Sequence, residues 1–297
     1  MKKFLQYFLA GWFVILLVST MVLPAFGADV DYDIEYTEKD TSGIVNILLL
    51  GTDATIEGTK DQGRTDCMII CSLNKDTGAI KLISIERAIY VDVPGVGREL
   101  LTNAHFYGGP ELTQSLIEKY FDIELAGYCE INYQGFINAI DALCGVDIIL
   151  TEPEETGLNG LWNELCPENS ALTAHKMVEG LNHLDGYDAL MYCRLRCIDS
   201  DWHRVERQRN MIQAIIDTAK SQTLEHNVAA AKAVIEYVDT NLSALDIVSV
   251  LACMGKFTGT VADQMTVPVK SNPIVCDYPS ESARIHNFIY DTVEVNG

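Results

Sequence analysis

The chain has 297 residues, 48% of them hydrophobic, and 42 Asp+Glu against 21 Lys+Arg give a formal net charge of −21. That length suits one large domain or two small ones, and no Pro-, Gly- or Ser-rich tract marks a linker. So large a negative charge would repel a phosphate backbone over most of the surface; it excludes general nucleic-acid binding but leaves room for a local basic pocket that takes one phosphate group.

The N-terminus reads apart from the fold. Lys2 and Lys3 precede an uncharged apolar run, 4–23, followed by the acidic stretch "ADVDYDIEYTEKD". Twenty helical residues span roughly 30 Å, the thickness of the bilayer hydrocarbon. The charge asymmetry predicts residues 1–3 inside, a transmembrane anchor over 4–23, a polar extracellular stalk over 24–43 and the body outside. The competing reading is a cleaved signal peptide, with Ala25 and Gly27 as small residues before Ala28. Under either reading the body, 44–297, is exported.

Beyond the stalk, "IVNILLLG" (44–51) predicts a buried strand, and "DCMIICSL" and "AIKLISIE" predict two more, joined by the turn "NKDTG". "IYVDVPG" continues as a strand into a turn. "GGPELTQSLIEKYF" starts a helix with Pro110 in its first turn. "GYCEIN" is a strand, "YQGFINAIDALCG" a helix closed by Gly145, and "VDIILT" a strand again. Residues 151–180 show no clear period, and "DGYDALMYCRLR" reads as a short helix or a strand-like segment. Helical patterns follow from Asp201 to about Leu224, in "NVAAAKAVIEYV" and in "SALDIVSVLACMGKF", before a late strand at "MTVPVK". The alternation of strand and helix predicts an α/β fold with a sheet covered on both faces.

Nine cysteines are an odd number. Cys67, Cys71, Cys129 and Cys144 sit in apolar runs and read as small core residues. Cys193 and Cys197 lack the two further ligands that a zinc site would need.

One segment departs from the acidic background. In "CRLRCIDSDWHRVERQR", Arg194, Arg196, Arg204, Arg207 and Arg209 fall within sixteen residues. Successive side chains of a helix turn by about 100°, so Val205, Ile212, Ile216 and Ala219 share an apolar stripe, with Arg204, Gln208, Met211 and Ile215 along its edge. Arg204 and Gln208 therefore point to a core boundary. A guanidinium offers five donors in a planar fork that matches phosphate oxygens, so several converging would hold a pyrophosphate. The alternative is a solvated helix face, ion-paired with Asp199, Asp201 and Glu206.

The segments "NILLLGTD", "GRTDCMIICSLN", "LISIERAIYVDVPG", "NAHFYGGPEL", "INYQGFINAIDALCGVDI", "LDGYDALMYCRLR" and "DSDWHRVERQR" stand in the order and spacing of the LytR-CpsA-Psr family of Gram-positive cell-envelope enzymes. The chain resembles that family over roughly residues 44–220. The resemblance implies a three-layer α/β/α sandwich around a central mixed sheet, with a groove for a lipid tail. It implies an enzyme, a phosphotransferase that moves a glycopolymer (teichoic acid, capsule or another wall polymer) from a polyprenyl-pyrophosphate carrier to a muramic-acid hydroxyl of peptidoglycan. It also implies a membrane-anchored protein. By motif, Asp53 and Asp66 resemble the carboxylates that hold magnesium, with manganese as the substitute. Arg64, Arg87, Arg194, Arg196, Arg204, Arg207 and Gln208 match the pyrophosphate-binding set, and Arg87 and Asp66 are implied to be catalytic. Asn103 matches an Asn of the family, where a turn role and a substrate contact are both open. Without the resemblance, Asp53 reads as a strand-end turn residue and Asp66 as a polar strand start.

The family's Pro-Arg-Asp reads Glu86-Arg87-Ala88 here, so an aspartate is missing. In an extended strand Glu86 would point to the same side as Ala88. The departure keeps two alternatives to a transferase in view: a paralogue that binds lipid pyrophosphate or regulates without transferring, and a pyrophosphate hydrolase.

Overall fold

The computed structural model describes residues 43–53, 63–165, 176–196, 198, 201–243, 246, 261–269 and 274–290. The expected anchor, nearly all of the stalk and the helix expected from "SALDIVSVLACMGKF", apart from residues 243 and 246, lie outside the described residues. Among the described residues, no helix is long and apolar enough to cross a membrane.

Six strands form a mixed central sheet: β1 (Ile44–Thr52), β2 (Thr65–Asn74), β3 (Ile80–Ile85), β6 (Gly127–Asn132), β9 (Val238–Thr240) and β10 (Val261–Val267). Their order is β10-β3-β2-β1-β6-β9. β1 and β6 are parallel, as are β3 and β10, while β2 runs antiparallel to both of its neighbours. The continuous apolar runs of β1 and β2 follow from burial on both faces. Leu48, Leu50, Met68 and Ile70 pack into one cluster, whereas Ile47, Ile69 and Cys71 pack into another.

The first face is covered by α1 (Leu101–Phe121) and α7 (Tyr278–Tyr290), through Leu116, Ile117, Phe121, Ile285 and Ile289. α1 starts well before the expected Gly-Gly-Pro. It breaks at Gly108 and Gly109, the latter at φ 70°, and resumes at Pro110. Over the other face lie α2 (Tyr133–Ala142), α3 (Glu152–Leu165), α4 (Gly186–Arg194) and α5 (Asp201–Ser221), followed by α6 (Leu224–Val234). Ile140, Leu158, Ala189, Tyr192, Met211 and Ala214 bind α2, α3, α4 and α5 into a second core. The fold is therefore α/β with a mixed central sheet between helices.

"IYVDVPG" forms the expected strand and turn, as β4 (Tyr90–Val93), whose partner among the described residues is β5 (Gly97–Leu100), outside the central sheet. Two expectations need correction. "VDIILT" forms β7 (Val146–Leu150), whose partner is β8 (Gly180–Leu184) in a separate ribbon, not the central sheet. The span 151–180, expected to be irregular, contains α3; Glu152, Glu154 and Glu155 complement the dipole in its first turn. Gly157 and Gly160 dilute its apolar period.

One contact sets how closely α4 approaches the site-bearing α2. Asp185 caps α4 by accepting from the amides of Tyr187 and Asp188. At Gly186, the next residue, a Cβ would lie 2.7 Å from the carbonyl carbon of Ile137 and 2.8 Å from its Cα. Neither backbone atom can yield cheaply, so Gly186→Ala should force the two helices apart and destabilise the fold by about 1–3 kcal/mol. Thermal unfolding checks this; a melting temperature equal to the wild type would show that the helices separate without cost.

Candidate active site

The site begins with a mismatch between two strands. Gly51 of β1 pairs with Cys67 of β2, but the next residue, Thr52, pairs with Thr65. Asp66 is thus the extra residue of a β-bulge, a device that re-aims a side chain. Thr65 keeps to the α1 side, where its hydroxyl and carbonyl both bond to Thr102. Strict alternation would send Asp66 to the opposite face from Cys67; the bulge sends it to the same one, and both line a cavity beneath α2, α4 and α5.

Asp66 is held from several directions. Arg87 donates to Oδ1 at 2.8 Å, and the Tyr133 hydroxyl donates to Oδ2 at 2.7 Å. Arg204 Nη1 lies 3.9 Å from Oδ1, and the Gln208 side-chain amide approaches the Asp66 carbonyl at 3.5 Å. Burial pushes this carboxyl up, but the Tyr133 hydroxyl and the charges of Arg87, Arg204 and Arg196 outweigh it, leaving the group below its ordinary value and ionised. Burial, and then the bond to Asp66, push the Tyr133 phenol up, so its hydroxyl keeps the proton it donates. The guanidinium of Arg194, at the end of α4, lies 4.6 Å from the centre of the Tyr133 ring.

The arginines divide into two groups. Arg204, Arg207 and Arg209 are only 3%, 2% and 7% exposed, so they do not form a solvated helix face. Arg204 and Gln208, one helical turn apart, both reach Asp66. Arg207 instead donates to the Leu195 carbonyl at 2.5 Å and faces Glu154 at 3.6 Å, bracing the segment between Arg194 and Arg196. Arg209 ties α5 to the sheet, donating to Ser84, Gln264 and Thr266 at 2.8–2.9 Å. Arg194 and Arg196 are exposed. Of the residues expected to bind pyrophosphate, the fold gathers Arg87, Arg194, Arg196, Arg204 and Gln208 around Asp66. Arg64 is exposed and acts on Glu99 of β5.

Asp53 follows β1 directly. Its amide donates to the Arg64 carbonyl at 3.1 Å, and its Oδ1 accepts from the Arg64 amide at 2.5 Å. One of its oxygens therefore holds the chain just ahead of Asp66, the turn role that a strand-end aspartate suggests. Among the described residues no group of three or more His, Cys, Asp or Glu side chains could enclose a metal ion. A pair of carboxylates fits a hard cation such as magnesium, which is commonly held by one or two carboxylates with water and substrate phosphate completing its shell. Asn103 bonds to Glu99 rather than standing apart from the protein.

Strand β3 ends at Ile85, and Arg87 and Ala88 form a turn. The amides of Thr102 and Leu101 clasp that turn through the carbonyls of Arg87 and Ile89. The alternation expected of an extended strand therefore does not apply: Glu86 is fully buried, while Ala88 is half-buried. Two residues escaped the sequence reading. Tyr133 looks like an ordinary first residue of an amphipathic helix. His105, within "NAHFYGG", is buried, with Nε2 2.9 Å from Glu130 and Nδ1 3.4 Å from the Gly63 carbonyl, linking α1 to the approach of the Arg64–Asp66 segment.

The cavity has a volume of about 200 Å³. Leu49 and Ile69 of the sheet and Phe136, Ile140, Met211 and Ile215 of the helices give it an apolar lining. Asp66, Tyr133, Arg194 and Gln208 line it too, so the apolar space is continuous with the charged cluster.

Known proteins share this arrangement of sequence and fold. The chain is 35% identical over 194 residues to the polyisoprenyl-teichoic acid–peptidoglycan teichoic acid transferase TagU of Oceanobacillus iheyensis, covering 63% of this chain and 54% of that relative. It thus spans about half the length of that relative. The solved structure of TagT bound to LI-WTA superposes with a TM-score of 0.63 at 25% identity, covering 88% of this chain and 94% of the other. A TagT structure with bound octaprenyl pyrophosphate lipid shares the fold at 23% identity, with a TM-score of 0.59 and coverage of 88% and 94%. The LytR_cpsA_psr family model matches residues 26–290, most of the sequence, and the chain belongs to that family.

Proposed function

We propose that this protein transfers a glycopolymer from a polyprenyl-pyrophosphate carrier to peptidoglycan and leaves a phosphodiester link. The observation that carries this reading is the continuity of an apolar cavity with a cluster of arginines around one carboxylate. Such a site suits a ligand with a hydrocarbon tail and a doubly charged head. Family membership and the names of the relatives support the same class of reaction.

In this reading the tail occupies the space beside Phe136, Met211 and Ile215, and Arg87, Arg194, Arg196 and Arg204 surround the pyrophosphate. The acceptor hydroxyl oxygen forms a bond to the phosphorus that carries the polymer. The bond from that phosphorus to the bridging oxygen breaks, polyprenyl phosphate leaves with the electron pair, and the hydroxyl proton passes to the leaving phosphate or to solvent. The protein's part is to position these groups and to neutralise charge developing on phosphate oxygens. Asp53 and Asp66 would hold a magnesium ion, which when bound supplies further charge at the pyrophosphate. Residues 4–23 would anchor the protein in the membrane with its body outside.

A second reading has its own support. The family aspartate is replaced by Ala88, and Glu86 is enclosed in the protein. A chain so altered would bind lipid pyrophosphate and transfer little. Incubating the full chain with lipid-linked polymer, magnesium and peptidoglycan fragments separates the readings. Polyprenyl phosphate released only with acceptor identifies a transferase, release without acceptor identifies a hydrolase, and retained intact lipid identifies a binder.

Arg87→Ala and Arg204→Ala should each weaken polyprenyl-pyrophosphate binding at least tenfold, since a charge-assisted contact is worth about 1.5–3 kcal/mol. Arg209→Ala should lower the melting temperature yet leave the affinity of the folded protein within about twofold, because its partners are Ser84, Gln264 and Thr266. Equal binding losses in all three variants would contradict this division of roles. Ala88→Asp should raise transfer measurably if the missing carboxylate limits the rate; an unchanged rate in an active protein would show that it is dispensable.

A further inference from the structure

Tyr133 touches both halves of the site. It is the first residue of α2 and follows Asn132, whose side chain caps the helix by accepting from the Gly135 amide at 2.8 Å. A Cβ at Gly135 would meet the Tyr237 Cβ at 2.5 Å and Ile131 at 2.8 Å, so this helix end sits too close to its neighbours to drift. From that fixed origin the phenol reaches Asp66 Oδ2, opposite the oxygen taken by Arg87. Arg194 packs against the ring of the same residue. Arg194 is exposed, and among the described residues it forms no salt bridge. An exposed arginine samples many rotamers, and an aromatic face restricts them by cation–π attraction while leaving the charge unneutralised.

We propose that Tyr133 is a positioning residue for the transfer reaction, orienting the Asp66 carboxylate through its hydroxyl and holding Arg194 at the cavity edge through its ring. The role rests on the transferase reading above. The two functions belong to different parts of one side chain, so they separate by substitution. Tyr133→Phe keeps the platform and loses the donor; Tyr133→Leu loses both. The hydroxyl acts on a carboxylate and the ring on a phosphate-binding cation. The first loss should therefore appear in turnover and the second in ground-state affinity for the lipid pyrophosphate.

The test compares full-length wild type, Tyr133→Phe, Tyr133→Leu, Arg194→Ala and the Tyr133→Leu/Arg194→Ala double variant. Affinity for a short-chain polyprenyl pyrophosphate is measured without added metal, and kcat and KM are measured for transfer. A third readout needs no substrate: the ring-current displacement of the Arg194 Nε–H resonance. Tyr133→Phe should keep both the affinity, within about twofold, and the displaced resonance, while lowering kcat. Tyr133→Leu should lose the displacement and weaken binding about fivefold, as Arg194→Ala does, and the double variant should be no weaker than either single one. Additive losses, or full affinity in a folded Tyr133→Leu protein, would overturn the platform role. An unchanged kcat in Tyr133→Phe would overturn the orienting role. A wild type that shows the displaced resonance but binds no polyprenyl pyrophosphate would overturn the transferase reading, and the positioning role with it. Binding together with additive losses and an unchanged kcat in Tyr133→Phe would sink the Tyr133 role alone.

Discussion

A carboxylate that stays ionised while largely withdrawn from water has to be compensated, and the site is organised around doing this for Asp66. Burial disfavours its charge; a phenol hydroxyl and nearby guanidinium groups favour it more. Those groups come from widely separated parts of the chain: Arg87 from the turn after β3, Tyr133 from the start of α2, and Arg204 from α5. Charge balance at a single side chain therefore joins the sheet to the helical layer above it. The same groups gather positive charge in a protein whose net charge is −21.

The arginine-rich helix answers two needs with one residue type. Arg209 and Arg207 use the fork of donors to satisfy hydroxyls, a side-chain amide and a backbone carbonyl, fixing α5 against β3 and β10 and steadying the segment that carries Arg194 and Arg196. Arg204 and Gln208 project to another side of the same helix, toward Asp66. Spacing along the helix sorts the side chains that anchor it from those that face Asp66, and the anchoring members position the others.

Much of this was legible in the sequence. The runs of β1, β2 and β3 stood out because both faces of the sheet are covered, and the 100° step placed Arg204 and Gln208 at the core boundary where they lie. What lies across that boundary depends on strand pairing and helix docking between residues more than a hundred positions apart, which periodicity does not encode. The early start of α1 was masked by polar residues and the paired glycines of "TNAHFYGG". β7 read as a member of a larger sheet because a strand's pattern reports burial rather than its partner, and β8 was not read as a strand. Tyr133 went unread because a tyrosine at a helix start carries no local mark of what its hydroxyl will meet. Arg207 and Arg209 differ from Arg204 only in what surrounds them once the chain is folded.

The bulge at Asp66 has a bearing on how this fold can change over time. The aim of the carboxylate depends on β2 having one residue more than β1 opposite it, not on the strength of the sheet. Shortening β2 by the residue before Asp66 would let Asp66 itself pair with Thr52 and turn its carboxylate toward α1, while the ladder from Gly51 and Cys67 onward and the apolar clusters on both faces stay in place. The aim of the carboxylate and folding stability are thus inherited separately at this position. A lineage can lose this placement by a single-residue change in strand length and keep a protein that still folds and is still recognisable by its core.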